Sequence, residues 1–174
     1  VLSSFMTIIM VFISMIMAKA SIDRIKEVFN EEPSINDYDA DKDLKVKNGS
    51  IEFRNVTFKY GEDAVRNALE NIDFKIESGE PIGVIGATGS SKSTLIQLIP
   101  RVYDATEGEV LIGGENVKNY TFKNLRNEIA VVLQQNLLFS GSIKENIRWG
   151  KLDATDEEIE NAAKAAQAHD FISE

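Results

Sequence analysis

Residues 86–94 read G-A-T-G-S-S-K-S-T, and this stretch decides the fold. The apolar run Ile82-Gly83-Val84-Ile85 precedes it and predicts a buried strand. Thr94-Leu95-Ile96-Gln97-Leu98-Ile99 follows and predicts a helix that opens at Lys92. Strand, glycine-bearing loop, Lys-Ser-Thr and helix, in that order, make a phosphate-binding loop. Backbone N–H groups in a tight loop, joined to the free N–H groups of a helix start, form a concave anion site. Lys92 then reaches the outer phosphates as a point charge, and the Ser93 hydroxyl is placed to ligate Mg²⁺. The general pattern, G-x-x-x-x-G-K-[ST], has glycine where this chain has Ser91. If that position needs a positive φ, serine costs about 1–2 kcal/mol there, although its N–H is kept. The expectation is weakened or reshaped nucleotide binding, not its loss. Taken alone, the stretch also suits an ordinary Ser/Gly loop between a strand and a helix.

The chain around the loop has 174 residues, a formal net charge of −9 and no cysteine. That length suits about one domain plus an appendage. The acidic excess argues against nucleic acid as the main partner, because a phosphate backbone needs a basic face. A nucleotide such as ATP needs only a local positive site. Without cysteine there are no disulfides and no thiolate zinc site, which is compatible with a reducing cytosol. The chain starts at Val1 inside an apolar run and ends at Glu174 after an amphipathic helix with no closing strand. It is therefore expected to be a piece of a longer protein.

Residues 1–18 carry no charge. As a helix they span about 27 Å, close to a hydrocarbon core of about 30 Å, and they read as the end of a transmembrane helix. Lys19, Arg24 and Lys26 at its exit point to the cytoplasmic side. Two rival readings stay open. Ala18-Lys19-Ala20 resembles a signal-peptide cleavage site, and a buried helix of a soluble core has a similar composition. Ile22, Ile25, Val28 and Phe29 continue a helical stripe to Asn30, and Glu31-Glu32-Pro33 ends it. The polar, acid-rich residues 31–50 read as a linker and domain boundary.

Beyond the linker, Ile51-Glu52-Phe53, Val56 to Tyr60 and Ile72 to Ile76 alternate as half-buried antiparallel strands, with a turn around Gly61-Glu62-Asp63. Gly108 to Gly114 predicts a short strand into a turn, and Thr121 to Glu128 a short helix. Ile129-Ala130-Val131-Val132-Leu133 is wholly apolar and predicts a strand inside a parallel sheet. Gln134 follows its carboxyl end, where open α/β sheets place ligands. Thr155-Asp156-Glu157-Glu158 forms a capping box that opens a helix expected to run from Ile159 to Ile172.

Taken in order, these motifs resemble an ABC transporter of the exporter type, in which membrane and ATP-binding domains are fused. The resemblance is carried by A-K-A-S-I-D-R-I-K-E-V-F (18–29), I-E-F-R-N-V-T-F-K-Y (51–60), the phosphate loop, G-E-V-L-I-G-G (108–114) and L-R-N-E-I-A-V-V-L-Q-Q-N-L-L-F-S-G-S-I-K-E-N-I (125–147). It covers essentially the whole chain. It implies an α/β, P-loop NTPase-like nucleotide-binding domain, incomplete here, with an antiparallel β subdomain and the end of a transmembrane helix in front. The implied domains are 1–30 (membrane helix and cytoplasmic extension), 31–50 (linker) and 51–174 (N-terminal portion of the ATP-binding domain).

The resemblance also implies roles. Tyr60 is similar to the aromatic that stacks on adenine, although a strand-end tyrosine of the core is the plainer reading. Gly86, Ala87, Thr88, Gly89, Ser90, Ser91, Lys92, Ser93 and Thr94 match the Walker A loop for ATP, with Ser93 on Mg²⁺. Gln134 matches the Q-loop glutamine, which meets Mg²⁺ and the attacking water. Gln135 is its neighbour, and the register of Phe139-Ser140-Gly141 favours Gln134. Leu133 stands where the family usually has proline. Lys92 and Gln134 are thus the catalytic candidates, and residues 135–140 would face the coupling helices of the membrane domain.

No L-S-G-G-Q signature, Walker B aspartate, catalytic glutamate or switch histidine occurs in the sequence, and His169, the sole histidine, reads as a surface or packing residue. The implied whole is a plasma-membrane, multi-pass ATPase working as a homo- or heterodimer of half-transporters, with its ATP-binding domain in the cytoplasm. Ser91 raises the option of a heterodimer with one slow site. A membrane-tethered nucleotide-binding regulatory module without transport is the alternative.

Overall fold

Alternation in three segments builds the sheet. The computed structural model describes residues 2–61 and 63–173; Val1, the predicted turn residue Glu62 and Glu174 lie outside the described residues. Strands β1 (Ile51–Phe58), β2 (Leu69–Ile76), β3 (Glu107–Ile112) and β4 (Glu115–Asn116) form one sheet in the order β2-β1-β3-β4. Every pairing in it is antiparallel. The two segments read around 51–60 are one strand interrupted by a bulge. The register with both neighbours shifts after Phe53-Arg54, and Asn55 takes φ 48°. Phe53 faces Phe74 and Val110 across the sheet, with the two phenyl rings stacked at 4.7 Å.

The buried face of this sheet carries Phe53, Val56, Phe58, Val110 and Ile112. Helix α2 (Lys92–Leu98) packs Leu98 onto it, and helix α3 (Phe122–Arg126) packs Leu125. Tyr120 is fully buried there, and its hydroxyl donates to the Ile112 carbonyl at 2.8 Å. Each such large side chain contributes about 1.5–3 kcal/mol by burial. The helix that follows the phosphate loop is therefore seated on a solid floor.

Helix α1 (Leu2–Asn30) runs unbroken for 29 residues and stops ahead of Glu31-Glu32-Pro33, as the proline dictates. At about 1.5 Å per residue it exceeds a hydrocarbon core of about 30 Å. None of its residues is buried, and by length and composition it is suited to cross a membrane. The acid-rich stretch after it is irregular but fastened. Leu44 and Val46 pack against the core. Asn124 Nδ2 donates to the carbonyls of Lys42 and Leu44, and the Phe122 N–H donates to Asp37 Oδ2 at 2.9 Å.

Residues 130–173 form a second compact unit. Helices α4 (Ile143–Arg148) and α5 (Asp156–Ala165) each open with a complete capping box, Ser142 with Glu145 and Thr155 with Glu158. Asp156 pairs with Lys144 and Arg148, which ties α5 to α4.

The structure corrects three expectations. The run 82–85 before the loop is not a strand, and Ile85 is 99% exposed. Residues 129–133 are not a strand either, and Val132 is 89% exposed. Both runs are apolar on both faces, which suits the middle of a parallel sheet. A strand exists only through its ladder partners, and among the described residues no strand pairs with either run. The helix expected from Ile159 to Ile172 is two helices, α5 and α6 (His169–Ser173). Gln167 at φ 58° ends α5 in a Schellman motif. Ala168 N–H donates to the Ala163 carbonyl, and Gln167 N–H to the Lys164 carbonyl.

Candidate functional site

The loop at 86–94 folds tightly on itself. A Cβ on Gly86 would run into Ser90 Oγ, so a larger residue there would make that hydroxyl turn away. The Ser90 N–H closes a turn onto the Ala87 carbonyl at 3.2 Å. Gly89 has φ 83°, and Ser91 has φ 60° and ψ 24°. The position that departs from the general pattern is thus left-handed, where a Cβ is strained. Ser91 is the N-cap of α2, yet its side chain makes no capping bond. Its carbonyl accepts from the Leu95 N–H at 3.0 Å.

Lys92 opens α2 and turns its ammonium back over the loop. Nζ donates to the Gly86 carbonyl at 2.7 Å, the Ala87 carbonyl at 2.8 Å and Ser90 Oγ at 3.2 Å. An ammonium has three donors, and the loop's own oxygens take all of them. Ser93 is exposed beside it, and Thr94, one residue on, is buried. Residues 86–90, Thr88 among them, are exposed.

The structure brings Tyr60 to this helix. Its hydroxyl and that of Thr94 share a hydrogen bond of 2.7 Å. Its ring meets Phe58 edge-on at 5.0 Å and Tyr103 edge-on at 5.3 Å, and the residue stays 59% exposed. It is therefore not the core tyrosine of the plainer reading.

At the far end of α2, sequence reasoning missed a clamp. Arg126 of α3 donates to the carbonyls of Pro100 and Arg101, satisfying the end of the segment that starts at Lys92. Phe122 lies under both guanidinium groups, at 4.4 Å from Arg126 and 5.2 Å from Arg101. Arg101 is buried at φ 53° and is paired with Asp104 at 2.8 Å. No local pattern announces a cap supplied from 25 residues away.

Gln134 belongs to the second unit, in an exposed bend after residues 130–133. The chain beyond it is shaped by Asn146, which accepts from the Phe139 N–H at 2.8 Å and donates to the Phe139 and Ser142 carbonyls. Phe139 stacks on Trp149 at 5.1 Å. The Ser142 backbone N–H holds the Glu145 carboxyl below its ordinary value, and Lys144, seconded by Arg148, does the same for Asp156. His169 is half-buried near Glu160 at 3.8 Å, outside the loop's unit.

Among the described residues no group of three or more His, Asp or Glu could hold a metal ion. The donor set near the loop is instead backbone N–H groups, one ammonium, the exposed hydroxyls of Thr88, Ser90 and Ser93, and one aromatic ring. That set suits a polyphosphate carrying a planar base, with any cation held by a hydroxyl and the phosphates themselves.

Comparison with known proteins agrees. The family model described as ABC transporter matches residues 69–174. YgaD of Bacillus subtilis (strain 168), named a multidrug export ATP-binding/permease protein, is 45% identical over 154 residues, or 88% of this chain and 26% of that protein. A protein of the same descriptive name from Staphylococcus aureus (strain NCTC 8325 / PS 47) is 47% identical over 129 residues, covering 74% of this chain and 22% of its own length. A solved bacterial Atm1-family ABC exporter with ATP bound superposes with a TM-score of 0.84 at 30% identity, over 94% of this chain and 29% of that one. The chain thus spans about a quarter of the length of the relatives it matches.

Proposed function

The chain belongs to the ABC transporter family, and from that premise we propose that it is part of an exporter that couples ATP binding and hydrolysis to transport across a membrane. Residues 1–30 are the end of the last transmembrane helix with its cytoplasmic extension. Residues 31–50 are the linker, and 51–174 the N-terminal portion of the ATP-binding domain. The names of the relatives support multidrug export as the transported class.

The observation that carries this reading is the loop itself. A left-handed turn and a lysine stand on a helix seated against the core. On arrival of ATP, Lys92 exchanges three loop oxygens for phosphate oxygens. The N–H groups of residues 86–94 cradle the phosphates, and Tyr60 offers its ring to adenine. Ser93 would hold Mg²⁺, with Gln134 carried over from the family as a second candidate ligand, and the ion would neutralise developing phosphate charge. Gln134 and residues 135–140 meet the coupling helices, and closure around ATP against a second half-transporter moves the membrane helices. The ATP-binding domain lies in the cytoplasm of a multi-pass plasma-membrane protein.

The sequence has no signature motif, Walker B aspartate or catalytic glutamate, so the 174-residue chain alone binds ATP–Mg²⁺ without turning it over. Titration calorimetry of the chain in detergent tests the clamp. Lys92→Ala should weaken ATP by about tenfold or more, since bonds from a charged donor are worth about 1.5–3 kcal/mol. In the complete protein in lipid the same change should abolish turnover; undiminished ATPase activity would refute the proposal.

A further inference from the structure

We propose that the Tyr60–Thr94 hydroxyl pair is a positioning contact that locks the base platform to the phosphate loop, so that base and phosphates are recognised as one unit. The inference rests on the reading of Tyr60 as the adenine platform.

A stacking surface needs only a π-face, and phenylalanine supplies one. The hydroxyl of Tyr60 is therefore left unexplained by stacking. Tyr60 stands two residues past the end of β1, where no ladder bond fixes the backbone. An exposed aromatic at such a place samples several rotamers. Here it does not have that freedom. Its hydroxyl is bound to Thr94, 34 residues away, at 2.7 Å. Thr94 is only 5% exposed and sits in the first turn of α2, two residues after Lys92. The other end of the ring rests against Phe58, itself buried, and against Tyr103. Both neighbours stand nearly perpendicular, at 79° and 89°, so neither stacks flat on it.

One consequence is a population effect. A ligand that binds only one orientation of the ring loses affinity in proportion to the fraction of molecules that hold it. A net hydrogen bond of ordinary strength corresponds to about a two- to tenfold change in that fraction. The loss should fall on ligands with a base and spare ligands that have phosphates alone.

The test is the ratio of tripolyphosphate to ATP dissociation constants, measured by calorimetry on the 174-residue chain in detergent. Tyr60→Phe keeps the ring and removes the hydroxyl, and Thr94→Val removes the other partner. Each should lower the ratio about two- to tenfold, and the double variant should lower it no further. Thr94→Ser, which keeps a hydroxyl, should restore the wild-type ratio. Using a ratio cancels any direct effect of Thr94 on the phosphates. Circular-dichroism melts check that every variant is folded. An unchanged ratio in Tyr60→Phe, or losses that multiply in the double variant, would overturn the positioning role. An unchanged ratio in Tyr60→Ala would instead overturn the adenine platform on which it rests.

Discussion

Substituting glycine for Ser91 should tighten the phosphate loop. Ser91 holds φ 60° and ψ 24°, a conformation that costs a residue with a Cβ about 1–2 kcal/mol. Glycine removes that strain but loses about 0.5–1 kcal/mol of backbone entropy on ordering. Taken at the middle of both ranges, the balance is about 0.75 kcal/mol in favour of the native loop, or a factor of about three. Amide hydrogen exchange reads this locally, because the Leu95 N–H is bonded to the Ser91 carbonyl at 3.0 Å. In Ser91→Gly that amide should exchange about threefold more slowly, and ATP should bind tighter by a similar factor. Ser91→Ala is the control. The Ser91 side chain makes no capping bond, so alanine keeps the strain and loses nothing, and exchange should match the wild type. If alanine protects Leu95 as well as glycine does, the hydroxyl rather than the Cβ is responsible. If glycine speeds exchange, the left-handed turn stores no strain, and the reasoning fails.

Two other perturbations probe the two units separately. Gly108 has φ 78°, and a Cβ there would collide with the carbonyl oxygens of Arg54 and Asn55 and lie 2.6 Å from the Asn55 carbonyl carbon. Gly108→Ala should therefore destabilise the sheet by about 3 kcal/mol or more, since strain and overpacking add; a melt like the wild type's would contradict this. In the second unit, Glu145 accepts from the Ser142 backbone N–H at 2.7 Å, and its carboxyl is held below the ordinary glutamate value. A group depressed on folding contributes stability above its unfolded value and loses it as the pH falls through the folded one. Acid should therefore loosen α4 only below the ordinary glutamate range, read by the fluorescence of Trp149, the one tryptophan, at the end of that helix. Glu145→Gln should remove that acid step, and its persistence would assign the step elsewhere.

How much was legible in advance varied with the range of the interaction. The capping box at Thr155 and the end of α1 before Pro33 were readable because their causes lie within four residues. β2 was readable because its more buried face recurs with a period of two, and β1 was readable only in two pieces because its bulge breaks that period. The bulge at Asn55 was not, since it depends on how Gly108 approaches from another strand. The same holds for Arg126, whose value to α2 lies in two carbonyls it meets only after folding. Gln167 misled for a different reason. Glycine is the usual residue at a left-handed helix end, and a glutamine there leaves no mark in the sequence.

By itself, then, the sequence determined the long apolar helix, the half-buried antiparallel strands, the phosphate loop with its lysine, and the family to which their order belongs. Each of these is a local pattern of side-chain chemistry. Tertiary structure alone decided that Ser91 is left-handed, that Tyr60 is tied to Thr94 and that residues 82–85 and 129–133 pair with no strand among the described residues. The reason is common to all three. Backbone handedness in a loop, a bond across 34 residues and a ladder each depend on what another part of the chain brings to the same place.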